Sequence, residues 1–296
     1  MPESMIGCER WPIAAERIKL PRTMATREPV IRLMQTAPEP GDLAGNLRRA
    51  HAQLRSLREN ELAVLPELAL TGYQLRSGRR LVALAADDPA LVKLAPPRGA
   101  ALAGFVELGE DRQLYNASAW LERNRPVATH RKCFLPTYSM FEEGRFFARG
   151  ERLSLWQWRG LQLGVMICEE GWHLPVPHAL ARAGADVLIW QAAGPEKGNR
   201  SVESWTRLAT AYAELLNVYV VLVNRVGVER GVSFCGGSCV IAPGGRSLLQ
   251  LPAWETAEGA VALPASRLTR ARRRAPMIAD ERKLLDEIVL HRGDAT

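Results

Sequence analysis

The stretch Leu163-Gly164-Val165-Met166-Ile167-Cys168-Glu169-Glu170-Gly171-Trp172-His173 is an apolar run that stops at a cysteine, two acids and a glycine. With Leu161 and Gln162 ahead of it, the run reads as a buried strand over 161–167. Its abrupt end puts the thiol at a strand-to-helix elbow, where backbone N–H groups can face a developing negative charge. A cysteine in an apolar strand is usually an inert core thiol, yet two flanking carboxylates are an odd choice beside one. Working outward, similar apolar runs occur at residues 30–35, 61–65, 101–107, 114–122, 125–130, 186–190, 218–224, 238–241 and 259–263. Between them, residues 43–58 carry Leu43, Leu47, Ala50, Leu54 and Leu57 at helical spacing behind Asp42 as a cap, and 174–183 and 202–216 also read as helices. Gly244-Gly245 marks a turn between two strands. The alternation predicts an α/β protein with buried strands, mixed without a linker from Val30 to about Leu263, and hence one domain.

Two further strand ends carry charge. Leu62-Ala63-Val64-Leu65-Pro66-Glu67 ends in a carboxylate inside an apolar stretch, where burial demands partners and favours proton transfer; the bland reading is a rim residue capping a turn. His130-Arg131-Lys132 ends in a lysine, although the chain otherwise prefers arginine and has Lys only at 19, 93, 132, 197 and 283. An ammonium is a compact cation suited to an oxyanion, whereas a lone Lys is usually a surface residue. Glu67, Lys132 and Cys168 thus offer a base, an electrophilic stabiliser and a nucleophile.

Composition narrows the class. The 296 residues are 47% hydrophobic and 24% charged, which excludes a disordered or fibrous chain. A net charge of +7 over this length is a weak reason to invoke nucleic acid, and none is expected as a partner. The five cysteines are an odd number in a chain too long to need stapling, so reduced thiols and a cytoplasmic location are expected. No apolar run approaches the roughly 18–20 residues of a membrane span, so no membrane association is expected. Residues 1–28 lack a signal-peptide core and read as a poorly ordered leader, with Met24 a possible natural start; 29–275 form the main domain, and 276–296 a tail with a short helix at 280–289. Arg267, Arg270, Arg272, Arg273 and Arg274 could grip phosphates or an acidic partner, but such runs are more often solvated or paired with carboxylates.

Several ordered motifs resemble the nitrilase superfamily of carbon–nitrogen hydrolases. They are Leu65-Pro66-Glu67 with Thr71-Gly72-Tyr73, Arg131-Lys132 with Leu135-Pro136, Glu143 with Arg145-Phe146-Phe147 and Gly150, and Gly164 to Glu169. The resemblance runs from about Val30 to Arg274 and implies a four-layer αββα sandwich. Glu67, Lys132 and Cys168 would meet at one pocket, with Glu143 nearby orienting Lys132. It further implies cleavage of a small amide through a thioester without metal or organic cofactor, and a homodimer or larger homo-oligomer. Arg149 stands where the family usually has Pro, and Trp190-Gln191 where many members have a small polar pair; both are expected to border the pocket. Glu169-Glu170-Gly171-Trp172 after the cysteine is similar to amidases and to glutaminase domains of glutamine-dependent NAD synthetases. No nucleotide-binding glycine loop is present up to Thr296, so a stand-alone amidase, or an ammonia source for a separate synthetase, is expected. Tyr138, Glu169 and Trp172 are the candidates for lining the substrate pocket.

Three other readings stand beside this one. Cys168 with His173 or His178 would make a papain-like dyad, but such proteases draw their histidine from far along the chain. A binding or scaffold protein of the same fold would use the arginine run and leave Cys168 inert. Cys235 and Cys239 offer two metal ligands without a second pair, which favours core thiols.

Overall fold

A computed structural model describes residues 27–73, 76–125, 127–139, 141–196 and 201–284. The expected leader up to residue 26, including Met24, and the tail beyond 284 lie outside the described residues.

In chain order the elements begin with β1 (Val30–Gln35), α1 (Leu43–Leu54), β2 (Glu61–Val64), α2 (Pro89–Leu94), β3 (Ala100–Leu108), β4 (Leu114–Glu122) and β5 (Ala128–Arg131). There follow β6 (Ser154–Trp158), β7 (Leu161–Ile167), α3 (Pro175–Arg182), β8 (Val187–Ala192), α4 (Val202–Leu215), β9 (Tyr219–Asn224) and a hairpin of β10 (Val226–Glu229) and β11 (Val232–Cys235). β12 (Cys239–Ile241), β13 (Ser247–Gln250), β14 (Ala257–Ala262), α5 (Ala265–Arg274) and α6 (Met277–Leu284) complete the fold.

Two six-stranded sheets result, with orders β14-β1-β2-β3-β4-β5 and β13-β12-β9-β8-β7-β6. Each has three parallel strands at its centre, β1-β2-β3 and β7-β8-β9, and antiparallel strands at its flanks. Side-chain alternation sorts the apolar residues into three layers. Ile31, Leu33, Leu62, Val64 and Leu102 pack between the sheets against Leu163, Val165, Ile189 and Val221. The opposite face of the first sheet, rich in alanine at 63, 101, 103, 117 and 119, is covered by Ala50, Leu54, Leu91 and Leu94 of α1 and α2. The outer face of the second sheet, with Leu188, Trp190 and Leu222, is covered by Leu180 of α3 and Trp205, Ala209 and Ala213 of α4. Burial on both faces explains the nearly continuous apolar strands. The architecture is the αββα sandwich. Among the described residues no helix is long and apolar enough to cross a membrane.

The differences from the sequence reading have local causes. β5 begins at Ala128 rather than at 125, because Asn124 takes a positive φ of 58° and Arg125 N–H closes a turn onto Glu122 O. α1 stops at Leu54, capped at its start by Asp42 Oδ1 accepting from Gly45 N–H at 2.9 Å, as expected. The sequence reading has no strands at β6, β10 and β11 and sets no limits for β13 after the Gly244-Gly245 turn: β13 buries none of its residues fully and β10 only two of four, which dilutes the apolar signal. The arginine-rich stretch forms α5, buries Leu268 and directs Arg272 onto Asp186 Oδ1 at 2.7 Å and Ala185 O at 2.8 Å. At least one of those arginines therefore ties a helix to the second sheet. The helix expected at 280–289 begins earlier, at Met277, and its part beyond 284 lies outside the described residues.

Candidate active site

Glu67 follows β2 on a tight turn in which Leu68 has a φ of 49°. The turn presses against Gly104 of β3, where a Cβ would stand 2.3 Å from Leu68 N and 2.4 Å from Pro66 O, so only glycine allows the approach. The Glu67 carboxylate is fully enclosed and partnered: Oε1 accepts from Lys132 Nζ and Asn116 Nδ2, both at 2.7 Å, and Oε2 accepts from Ala193 N–H at 2.8 Å. Ala193 follows β8, so this last bond crosses from one sheet to the other.

Lys132 is the first residue after β5, and its N–H continues the ladder by donating to Asn116 O at 2.8 Å. Its ammonium is buried and donates to Glu67 Oε1 and to Glu143 Oε1 and Oε2 at 2.8 and 2.9 Å. Burial alone would depress the Lys132 pKa, but the Glu143 carboxylate, and then Glu67, overcome this and raise it, so the side chain stays a cation. For Glu143 burial raises the pKa and the Lys132 charge opposes it. The Tyr73 hydroxyl donates to Glu143 Oε1 at 2.6 Å, while Tyr73 N–H donates to Glu229 Oε2 at 3.0 Å. Glu229 is itself paired with buried Arg225.

Cys168 comes directly after β7 at the start of a 3-10 turn, Cys168–Trp172, with a φ of 45°. A left-handed cysteine is a strained elbow that persists only if its surroundings fix it. Three side chains do so. Glu170 folds back to accept from Ile167 N–H at 2.6 Å and from Cys133 N–H at 2.7 Å, and its Oε2 lies 2.9 Å from His130 Nε2. Trp190 Nε1 donates to Cys168 O at 2.8 Å, and the Tyr212 hydroxyl to Gly171 O at 2.8 Å. Burial works to raise the Glu170 pKa, but His130 and the two backbone donors outweigh it and hold the carboxyl below the usual range. The Cys168 thiol is buried, close enough to Lys132 and Tyr73 for its charge to act on both. The four groups Glu67, Lys132, Glu143 and Cys168 are thus brought to one place.

At the outer side, Tyr138 is half-exposed and its hydroxyl donates to Glu169 Oε1 at 2.7 Å; His173 Nε2 is 3.7 Å from the same oxygen and its ring stacks on Phe134. Tyr138 and Glu169 therefore meet. Trp172 instead stands edge-on to Trp205, 5.1 Å between centroids, and packs against the core between the second sheet and α4. His178 is engaged with Glu281 of α6 at 2.5 Å. Cys235 and Cys239 are buried in the core, which pushes their thiols up to about 11 and about 12.

Two expectations about the pocket wall need correction. Arg149 is exposed and lines a surface cleft of about 590 Å³ with Asp111, Tyr115, Arg131 and Arg152, not the carboxylate and thiol cluster. Strand alternation turns Trp190 to the helix side of β8 and Gln191 to the space between the sheets, where its Nε2 donates to Leu65 O at 2.6 Å. Asn116, Tyr73, Glu170, His130 and the Ala193 N–H were not anticipated as parts of the site. One signal was present: Asn116 and Ser118 are polar residues on an otherwise apolar strand, alternating onto one face.

The family model for carbon-nitrogen hydrolase matches residues 30–273. The glutamine-dependent NAD(+) synthetase of Rhodobacter capsulatus is 33% identical over 239 residues, which are 77% of this chain and 42% of that one. An (R)-stereoselective amidase of a Pseudomonas species is 31% identical over 86% of this chain and 92% of its own. The chain spans about two fifths of the length of the synthetases it matches, 42% for that of R. capsulatus. Among solved structures, a CN-hydrolase superfamily protein of Xanthomonas campestris carrying an arsenic adduct in its active site superposes with a TM-score of 0.74 at 21% identity, covering 90% of this chain and 100% of that one. An amidase of Nesterenkonia superposes with a TM-score of 0.72 at 23% identity, covering 88% and 96%.

Proposed function

The chain belongs to the carbon–nitrogen hydrolase family, and we propose that it is a cysteine-dependent amidohydrolase that releases ammonia from a small linear amide through a thioester. The observation that carries this reading is the buried Lys132 ammonium, bonded to Glu67 and Glu143 with the Cys168 thiol beside it. A free thiol is only a few per cent thiolate at neutral pH, so it needs a base. Glu67 takes the Cys168 proton as sulfur bonds to the substrate carbonyl carbon and the C=O electron pair moves onto oxygen. That oxyanion is held by the Lys132 ammonium and the Glu169 N–H; losing one such donor costs on the order of 100- to 1000-fold in rate. Collapse of the tetrahedral adduct breaks the C–N bond, and Glu67 returns its proton to the departing ammonia. Glu67 then draws a proton from water, whose oxygen attacks the thioester; the second adduct expels the Cys168 thiolate, which is reprotonated by Glu67. Lys132 stays protonated throughout because Glu143 holds it. These steps use side chains of this chain alone.

A second reading, an ammonia supplier acting on glutamine for a separate synthetase, is favoured by the Glu169 carboxylate at the outer side of the site, where Tyr138 orients it. A carboxylate there suits a substrate that carries an ammonium beside its amide. Ammonia release by wild type and Cys168→Ala, across glutamine, asparagine, aliphatic amides, ω-amides, N-carbamoyl amino acids and nitriles, tests both. Loss of turnover in the variant is expected, and a preference for glutamine over simple amides would select the second reading. Wild-type rates in Cys168→Ala would sink the thiol mechanism, and silence of both proteins on the whole panel would favour a binding role. We further propose that the protein is cytoplasmic and forms a homodimer or larger homo-oligomer; sedimentation of the purified chain tests the oligomeric state.

A further inference from the structure

Trp190 stands where the sequence breaks with its family, and the structure puts it behind the nucleophile rather than in front of it. Its indole is wholly buried and immobilised, with the Trp205 ring at 4.9 Å and the Tyr212 ring at 6.2 Å between centroids. Two glycines make room for this aromatic pair. A Cβ on Gly171 would stand 2.1 Å from the Trp190 ring, and one on Gly194 2.6 Å from Trp205. Held in this way, the indole N–H meets Cys168 O at 2.8 Å.

The peptide joining Cys168 to Glu169 is trans, as are all the described peptides. Its C=O and N–H lie in one rigid plane and point in opposite directions within it. Fixing the carbonyl at the Trp190 indole therefore turns the Glu169 N–H away from the Trp190–Trp205 pair and sets its direction. Donation to the carbonyl also polarises the peptide and strengthens its N–H as a donor. We propose that Trp190 is a positioning residue, whose indole N–H aims the Glu169 backbone N–H at the oxyanion by anchoring the Cys168 carbonyl. The inference rests on the thioester reading above, and it concerns one half of the donor pair in that reading.

A role in oxyanion stabilisation separates reactions that build an oxyanion from those that do not. Acylation of Cys168 by p-nitrophenyl acetate passes through a tetrahedral oxyanion; the sulfur forms a C–S bond and p-nitrophenolate leaves. Alkylation by iodoacetamide displaces iodide at a saturated carbon and develops none. Trp190→Phe keeps an aromatic ring and removes the N–H; replacing Trp190 with 3-benzothienylalanine puts sulfur in place of the N–H in a ring of nearly the same shape. The expected result, in either variant, is acylation slowed roughly 10- to 100-fold, less than the roughly 100- to 1000-fold for outright loss of an oxyanion donor because the Glu169 N–H is misaimed and not removed. Alkylation should change less than about twofold, because the Glu170 bonds to Ile167, Cys133 and His130 still hold the elbow and the base Glu67 is untouched. Unchanged acylation in the benzothienyl variant would overturn the proposal even if Trp190→Phe folds poorly. Parallel slowing of both reactions would also overturn it, by locating the effect at the thiol. A p-nitrophenyl acetate burst in Cys168→Ala equal to that of wild type would instead refute the thioester reading itself.

Discussion

Replacing Glu170 with glutamine tests how the nucleophile elbow is held. The carboxylate accepts three N–H donors, those of Ile167 and Cys133 at 2.6 and 2.7 Å and His130 Nε2 at 2.9 Å, and is wholly buried. Glutamine keeps the shape but has only one accepting oxygen, so its NH2 must face at least one of these donors. If the oxygen stays with Ile167 and His130, two N–H groups confront each other at Cys133. The loss is a charge-assisted hydrogen bond together with a buried donor left unmet, about 3 kcal/mol in sum. For a domain of this size that lowers Tm by roughly 6–12 °C, readable by calorimetry at neutral pH. The pH dependence has a definite sign. Because the folded Glu170 carboxyl titrates below its ordinary value, its contribution is present in full above the unfolded pKa of about 4.3 and is lost as pH falls through the lower folded value. The gap between wild type and Glu170→Gln should therefore persist at neutral pH and close only in acid. A fall in Tm of less than about 3 °C at pH 7, set against 2–4 °C per kcal/mol, would refute the reasoning.

Two further substitutions probe the other side of the site. Gly104→Ala drives a Cβ into the backbone of Pro66, Glu67 and Leu68 at 2.3–2.8 Å, so stability should fall by about 1–3 kcal/mol in a urea melt, and the amidase rate should fall with it as Glu67 shifts. Tyr73→Phe removes a hydroxyl donor from Glu143 Oε1, which weakens the charged form of a carboxyl that burial already pushes up. The acid limb of the kcat/KM profile against pH is expected to move to higher pH; an unmoved limb would mean that the hydroxyl does not hold that charge.

The sequence was most legible where the chain must bury both faces of a strand. β1, β4 and β7 match their expected limits to the residue because an apolar run bounded by turn residues admits few alternatives. The edges were harder, since β13 and β10 are partly exposed and carry no such pattern. Glu67 and Cys168 could be singled out because each ends an apolar run, and Lys132 because it ends a strand with lysine in a chain that otherwise prefers arginine. The groups that orient them could not. Asn116, Glu170, His130 and Trp190 act across distances of 22 to 49 residues, and nothing local distinguishes a histidine or tryptophan that bonds a strand end from one that fills a core. The misreading of Trp190 arose in the same way: its neighbours were inferred from position in a motif, whereas the face it occupies is set by strand alternation.

The seam between the two sheets has a consequence for the life of the chain. Glu67, Lys132 and Glu143 belong to the half built on the first sheet, whereas Cys168 and the Ala193 N–H belong to the second. The first sheet itself closes only when β14, some two hundred residues downstream, pairs with β1 through Val30↔Ala262 to Gln35↔Ala257. During synthesis the cysteine therefore emerges before the strand that completes the sheet bearing its base and its cation. Until both halves have met, it is an ordinary thiol. On the thioester reading, proton transfer from Cys168 to Glu67 becomes available only once the two sheets have met.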